Sequence, residues 1–208
     1  MEWNNYKNIE AGCDKYGNDR LKLAVFLRDK VFKHLTQPIF IENGTLLGAW
    51  RSHKFIAHDD DFDFGILIDN LEEIENIYST IGDNLPNNYK YRLVKGYTDK
   101  IEIYDPAFGS YKLSGPDYNN ADYHYITVDL QFYLKDADND NYRCLYYINP
   151  NKIVVDKSII VPTGTILLEG EVFNCPKDIE GFLRNNYNYL GKDAEYSAET
   201  GLYYKKKI

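Results

Sequence analysis

The 208-residue sequence predicts an α+β fold (α/β mixed), with a central mixed sheet, flanking helices and a strand-rich carboxy-terminal half. Three observations carry that prediction. Up to about residue 88 the chain alternates segments of helical period with short apolar runs. From Tyr89 to about Leu168 it switches to segments of two-residue period. No repeat, low-complexity stretch or linker interrupts either half, and the length suits one full core, so residues 1–208 are expected to form a single domain.

Leu21, Val25, Phe26, Leu27, Val31, Phe32 and Leu35 recur at helical spacing. They predict an amphipathic helix over 19–36, with Asn18 or Asp19 as N-cap and Gln37-Pro38 as its stop. Ile39-Phe40-Ile41-Glu42 reads as a short buried strand, and Asn43-Gly44-Thr45 turns the chain into a second helix through about Trp50. A strand over 62–68 follows, then a helix over 71–81 whose first turn holds Glu72, Glu73 and Glu75, as the macrodipole favours. Further strands are expected over 91–94, 100–104, 123–134 and 142–148, with shorter ones near Ile153, Ile159 and Ile166. Asp136 to Asn141 reads as a hairpin turn rather than a metal loop. Ile179, Phe182, Leu183 and Leu190 share one side of a closing helix expected over 178–189.

The formal net charge is −8, which argues against nucleic acid as a partner, because a phosphate backbone calls for a basic stripe. The one basic run, Lys205-Lys206-Lys207, reads as a solvated tail. No apolar run is long enough to span a bilayer, and Met1 to Asn5 has neither the basic flank nor the apolar stretch of a signal peptide. Cys13, Cys144 and Cys175 are odd in number and far apart, which fits a reducing compartment better than a disulfide framework. A cytoplasmic location is therefore expected, in solution or at a membrane surface. The 20 tyrosines fit the compositional drift of an AT-rich genome, which raises Asn, Lys and Ile alongside.

Chemistry concentrates in His58-Asp59-Asp60-Asp61-Phe62-Asp63-Phe64. Asp59, Asp61 and Asp63 are spaced by two, so in an extended segment they leave one face while Phe62, Phe64, Ile66 and Ile68 leave the other. Carboxylates that close repel one another unless a cation intervenes, and an all-oxygen set favours Mg²⁺ or Mn²⁺ over zinc. Ca²⁺ is also an oxygen-seeking ion, but an EF-hand loop is excluded because its sixth and twelfth positions hold Phe64 and Asn70. Upstream, Gly44 and Thr45 open a helix whose free N–H groups suit a phosphate. Downstream, Asp129 shares a strand face with Thr127 and Gln131 and is the expected third carboxylate, with Glu102 the runner-up. A helix start for phosphate beside a D-x-D strand for metal is the layout of a phosphoryl or nucleotidyl transfer site.

Gly44-Thr45-Leu46-Leu47-Gly48-Ala49-x-Arg51, then Phe55-Ile56-x-x-Asp59-Asp60-Asp61-Phe62-Asp63, resembles the signature of the LicD/fukutin family. Weaker echoes are Val128-Asp129-Leu130 and the segment from Pro176 to Gly191. The resemblance implies a nucleotidyltransferase-like fold and a phosphotransferase that moves phosphocholine, ribitol phosphate or a similar group from a CDP-linked donor to a glycan acceptor. Under that reading Asp61, Asp63 and Asp129 hold Mg²⁺ (or Mn²⁺), and Gly44 and Thr45 bind phosphate. Arg51 clamps a phosphate or pairs with Asp59 or Asp60. Asp59 ligates the metal or takes the acceptor's proton, and His58 is a second candidate for that proton. Ala57-His58, Ser52-His53-Lys54 and Asn188 depart from the family pattern in positions that shape loops. Two other functions remain open: a nucleotidyltransferase that uses a nucleoside triphosphate, and a non-catalytic nucleotide- or glycan-binding module.

Overall fold

The computed structural model describes residues 13–95, 99–112, 122–145, 153–197, 200 and 202–206. Its frame is a mixed sheet assembled from distant parts of the chain. Strand β1 (Ile39–Ile41) lies antiparallel to β2 (Asp63–Ile68), which runs parallel to the long β7 (Thr127–Lys135). On the other side of β7 come β4 (Lys100–Tyr104) and then β3 (Lys90–Val94), both antiparallel to their neighbour. The far end of β7 turns back into β8 (Asn141–Cys144), which pairs with β9 (Val154–Asp156). Short hairpins β5–β6 (Ser110–Lys112, Asp122–His124), β10–β11 (Gly164–Leu168, Glu171–Cys175) and β12–β13 (Ala194–Ser197, Leu202–Lys205) stand off this sheet.

Alternation divides the sheet into two faces. Phe62, Phe64, Ile66, Val128, Leu130, Phe132, Ile101 and Ile103 leave one face and are all buried. Helices α1 (Cys13–Phe26) and α3 (Glu72–Asn84) supply its cover. Phe32, in the π and 3₁₀ turns that continue α1 from Leu27 to His34, meets Phe64 edge-on at 5.2 Å, and Tyr78 of α3 meets Tyr91 at 4.6 Å. The other face carries the polar residues of the site at the β2 amino end, and below them Phe40 and Tyr133 pack on Phe182. Gly65 is needed there, since a Cβ would stand 2.8 Å from the Phe40 ring.

Helix α2 (Asn43–Ser52) leaves β1 through Asn43, whose φ of 46° lies in the left-handed region. Its Gly48 lets the loop after it approach: a Cβ there would meet the Lys54 carbonyl oxygen at 2.4 Å. That loop is also clamped by the β10–β11 hairpin, where Glu169 N–H donates to His53 O and Glu169 Oε1 accepts from Phe55 N–H.

Several boundaries differ from the sequence-based expectation. Asn18 and Asp19 lie inside α1 (Cys13–Phe26), so neither is its N-cap. The strand expected over 123–134 breaks at Tyr125 and Ile126 into β6 and β7, and residues 157–160, near the strand expected at Ile159, form the short helix α4 (Lys157–Ile160). Residues 146–148 of the strand expected over 142–148 lie outside the described residues, as does Lys207 of the basic run. The closing helix shrinks to α5 (Ile179–Leu183), because the Asn185 side chain caps the Gly181 and Phe182 carbonyls and ends it after little more than a turn. Lys205 is not tail but the last residue of β13. No helix among the described residues is long and apolar enough to cross a membrane.

Candidate active site

Register brings the carboxylates together. Asp63 on β2 is the direct partner of Asp129 on β7, and Asp129 is the direct partner of Glu102 on β4. One step beyond the β1 register, Glu42 donates its N–H to Asp63 O at 3.2 Å. Paired residues on neighbouring strands face the same way, so Glu42, Asp63, Asp129 and Glu102 form a row across four strands. Asp61 joins from the loop: one oxygen each from Asp61, Asp63 and Asp129 lie within 4.8 Å of one another.

The loop itself is not the extended segment that the spacing suggests. Strand β2 begins at Asp63, and residues 57–62 bend. Asp60, which alternation would send to the opposite face, therefore stays with Asp59 and Asp61, and the three form a second close oxygen group. Tyr111 donates its hydroxyl to Asp60 Oδ2 at 3.2 Å. Beneath the loop, the buried Arg20 of α1 donates to Asp59 O at 3.0 Å and to Tyr125 O at 3.1 Å.

Cations answer only part of this charge. Lys100 Nζ bonds Asp129 Oδ2 and stands 3.3 Å from Glu102, while Arg92 Nε donates to Glu102 Oε2 at 2.5 Å. Asp129 Oδ1 and Glu42 Oε1 are buried and accept no hydrogen bond from a described residue. Burial, reinforced by the neighbouring acids, raises Asp61 to about 6, and burial against the pull of Lys100 leaves Asp129 at about 7. Asp59 and Asp63 are pushed well above the carboxylate range by burial and by Asp61. Burial lifts Glu42 to about 8 despite the hydrogen bond it accepts from the Tyr133 hydroxyl. An all-oxygen set, raised carboxylates and an orphaned buried oxygen on Asp129 fit a hard divalent cation. The acidic cluster could hold a metal ion.

Those shifts fix how stability should vary with pH without metal. Each folded carboxyl holds its proton above the unfolded value near 4, so its stabilising contribution is present below that value and is lost as pH rises through about 6 to 8. The melting temperature of the metal-free protein should fall across that window. Mg²⁺ competes with those protons, so the rise it produces should grow with pH. A metal-free melting temperature that stays level or climbs from about pH 5 to about pH 8 contradicts these assignments.

The remaining expected site residues are placed differently. Gly44 opens α2 beside the site, but the space over it is filled by Asp59, whose Oδ1 lies 2.4 Å from where a Cβ would be. Glycine is required here to admit a carboxylate at the helix start, where the dipole favours it. The Thr45 hydroxyl is buried and accepts from Asp63 N–H at 3.0 Å, so it anchors the strand rather than a phosphate. Arg51 is not placed as a phosphate clamp and forms no ion pair with Asp59 or Asp60. It donates to Tyr189 O at 2.8 Å and Leu190 O at 3.3 Å, with its guanidinium 4.1 Å from the Tyr203 ring centre. The His58 ring stacks on Tyr196 at 4.2 Å and lies 3.0 Å from the Tyr203 hydroxyl. That packing, with the Arg51 charge nearby, holds its pKa below the ordinary range. His58 thus ties the carboxy-terminal hairpin to the site loop, and Arg51 ties that hairpin and the segment before it to α2.

A mixed sheet whose neighbouring strands present carboxylates in a row, beside the start of a helix, is an α+β arrangement in which a cation could be held. The family model for "LicD/FKTN/FKRP, nucleotidyltransferase domain" matches residues 36–178, more than half of the chain, and the protein belongs to that family. Membership supports a phosphotransferase-type function in general terms. No curated protein compared with the chain matches it.

Proposed function

We propose that the protein transfers a phospho-alcohol group, of the phosphocholine or ribitol-phosphate kind, from a CDP-linked donor to a hydroxyl of a glycan. The observation that carries this reading is the meeting of Asp61, Asp63 and Asp129 oxygens within 4.8 Å, in a chain of this family. These three residues would hold Mg²⁺ or Mn²⁺, which offsets the charge of the donor's diphosphate and of the departing nucleotide. Asp63 is fixed from both sides, by Thr45 on its N–H and by Gln131 on its Oδ1. Lys100 keeps one Asp129 oxygen engaged and leaves Oδ1 for the site. In the transfer, the acceptor oxygen attacks the phosphorus that bears the alcohol. The bond from that phosphorus to the bridging oxygen breaks, and CMP leaves with the electron pair. Asp59, which burial makes more basic than an ordinary carboxylate, takes the proton of the acceptor hydroxyl.

Incubation with CDP-choline, CDP-ribitol or CDP-glycerol and Mg²⁺ should release CMP, slowly with water and faster with a suitable glycan. A nucleotidyltransferase would instead release pyrophosphate from a nucleoside triphosphate. Donor binding with neither product would favour a non-catalytic module, and no binding to any of these nucleotides would refute the proposed donor class.

A further inference from the structure

The chain beyond Asp178 lies outside the matched family region, yet one of its side chains is wired to the acidic row. Asn186 Nδ2 donates to Asn43 Oδ1 at 2.9 Å, and Asn43 Nδ2 donates to Gln131 Oε1 at 3.3 Å. Gln131 Nε2 in turn donates to Asp63 Oδ1 at 3.0 Å. Three side-chain amides therefore run in series from the carboxy-terminal segment, through the first residue of α2, to β7 and the carboxylate of β2.

The direction of this relay is set at its last link. Gln131 turns its NH₂ toward Asp63 and its oxygen toward Asn43, the arrangement that a carboxylate engaged with a cation requires, since such a carboxylate only accepts. Asn43 must then offer its NH₂ to Gln131 and its oxygen to Asn186. Asn43 also holds the left-handed backbone of the turn into α2, a conformation that costs a non-glycine residue energy unless its surroundings fix it. The hydrogen bonds on either side of its amide do so.

We propose that Asn186 is a positioning residue for the cation site, setting through Asn43 and Gln131 the donor polarity that keeps Asp63 turned toward Asp61 and Asp129. The inference rests on the reading of those three aspartates as the cation's ligands. It differs from a contact that merely pins the carboxy-terminal segment, because what matters is which end of each amide faces the next. Asn186→Asp keeps the size of the side chain but can only accept. Asn43 must then reverse to donate to it, Gln131 must reverse to donate to Asn43, and the Gln131 oxygen ends against Asp63. Asn43→Asp puts a second acceptor against Gln131, whose one NH₂ group then cannot serve both residue 43 and Asp63, and aspartate tolerates left-handed backbone.

The experiment is Mn²⁺ binding followed by electron paramagnetic resonance on the full chain and on Asn186→Ala, Asn186→Asp and Asn43→Asp, with metal-free melting curves beside it. Both aspartate variants should lose about tenfold or more in Mn²⁺ affinity, the size expected when a partner of a metal ligand fails, and Asn186→Ala should lose clearly less. A new negative charge alone would tighten cation binding, so a loss separates polarity from charge. Equal losses in Asn186→Ala and Asn186→Asp, or aspartate variants that bind as well as the parent, overturn the proposal. If Asn186→Asp fails to fold, Asn43→Asp decides alone. A parent protein that binds no Mn²⁺ overturns the reading of the three aspartates and the relay with it, whereas a parent that binds normally isolates the relay as the part under test.

Discussion

Asp63→Asn should abolish Mg²⁺-dependent release of CMP while leaving the fold intact. Asparagine has the shape of aspartate, and the backbone N–H of residue 63 would still reach Thr45 Oγ1. What changes is charge: Asp63 is one of the three aspartates proposed to hold the cation, and replacing it removes one of those proposed ligands. Loss of a ligand should cost more than the roughly 10- to 100-fold typical of a ligand's supporting partners. The metal-free protein should melt no lower than the parent, because burial and repulsion from Asp61 and Asp129 already hold this carboxyl well above its ordinary pKa. Full turnover in Asp63→Asn would falsify the assignment, and a collapsed fold in the absence of metal would show that its role is structural.

Lys100→Met should act in the opposite way, on stability before activity. Lys100 is the buried cation between Asp129 and Glu102, and Asp129 is almost wholly enclosed. Methionine fills much of the same volume but leaves the charge of Asp129 unanswered. Breaking a buried pair from one side typically costs about 3–5 kcal/mol. Mg²⁺ should recover a larger share of the stability in this variant than in the parent, since among the described residues no cation other than Lys100 bonds Asp129. Denaturant melts with and without Mg²⁺ measure both quantities. Equal metal-free stability of variant and parent would mean that Lys100 does not balance the acidic row.

What the sequence makes legible depends on whether the relevant partner is near in the chain or in the alternation of a strand. Asp61, Asp63 and Asp129 could be picked out because each borders an apolar strand whose facing is fixed by alternate residues. Lys100 could not, although it shares a strand face with Glu102, because a lysine in an alternating segment reads as solvent-facing until β4 is known to lie beside β7. Glu42 and Arg20 gave no signal either: a charged residue ending a short strand, or on the polar side of a helix, is ordinarily exposed. Arg51 and His58 have only local neighbours in the sequence, whereas their partners Tyr189, Leu190, Tyr196 and Tyr203 come from the carboxy-terminal segment about 140 residues later. Gly44 shows the same limit. Its need for close approach was evident, but the group that approaches is the Asp59 carboxylate.

The cation site can be tested most directly by anomalous X-ray scattering from crystals of the protein equilibrated with Mn²⁺. A peak should stand among the carboxylate oxygens of Asp61, Asp63 and Asp129, and it should vanish in Asp63→Asn. Mn²⁺ found elsewhere while these three carboxylates stay bare would contradict the account at its centre.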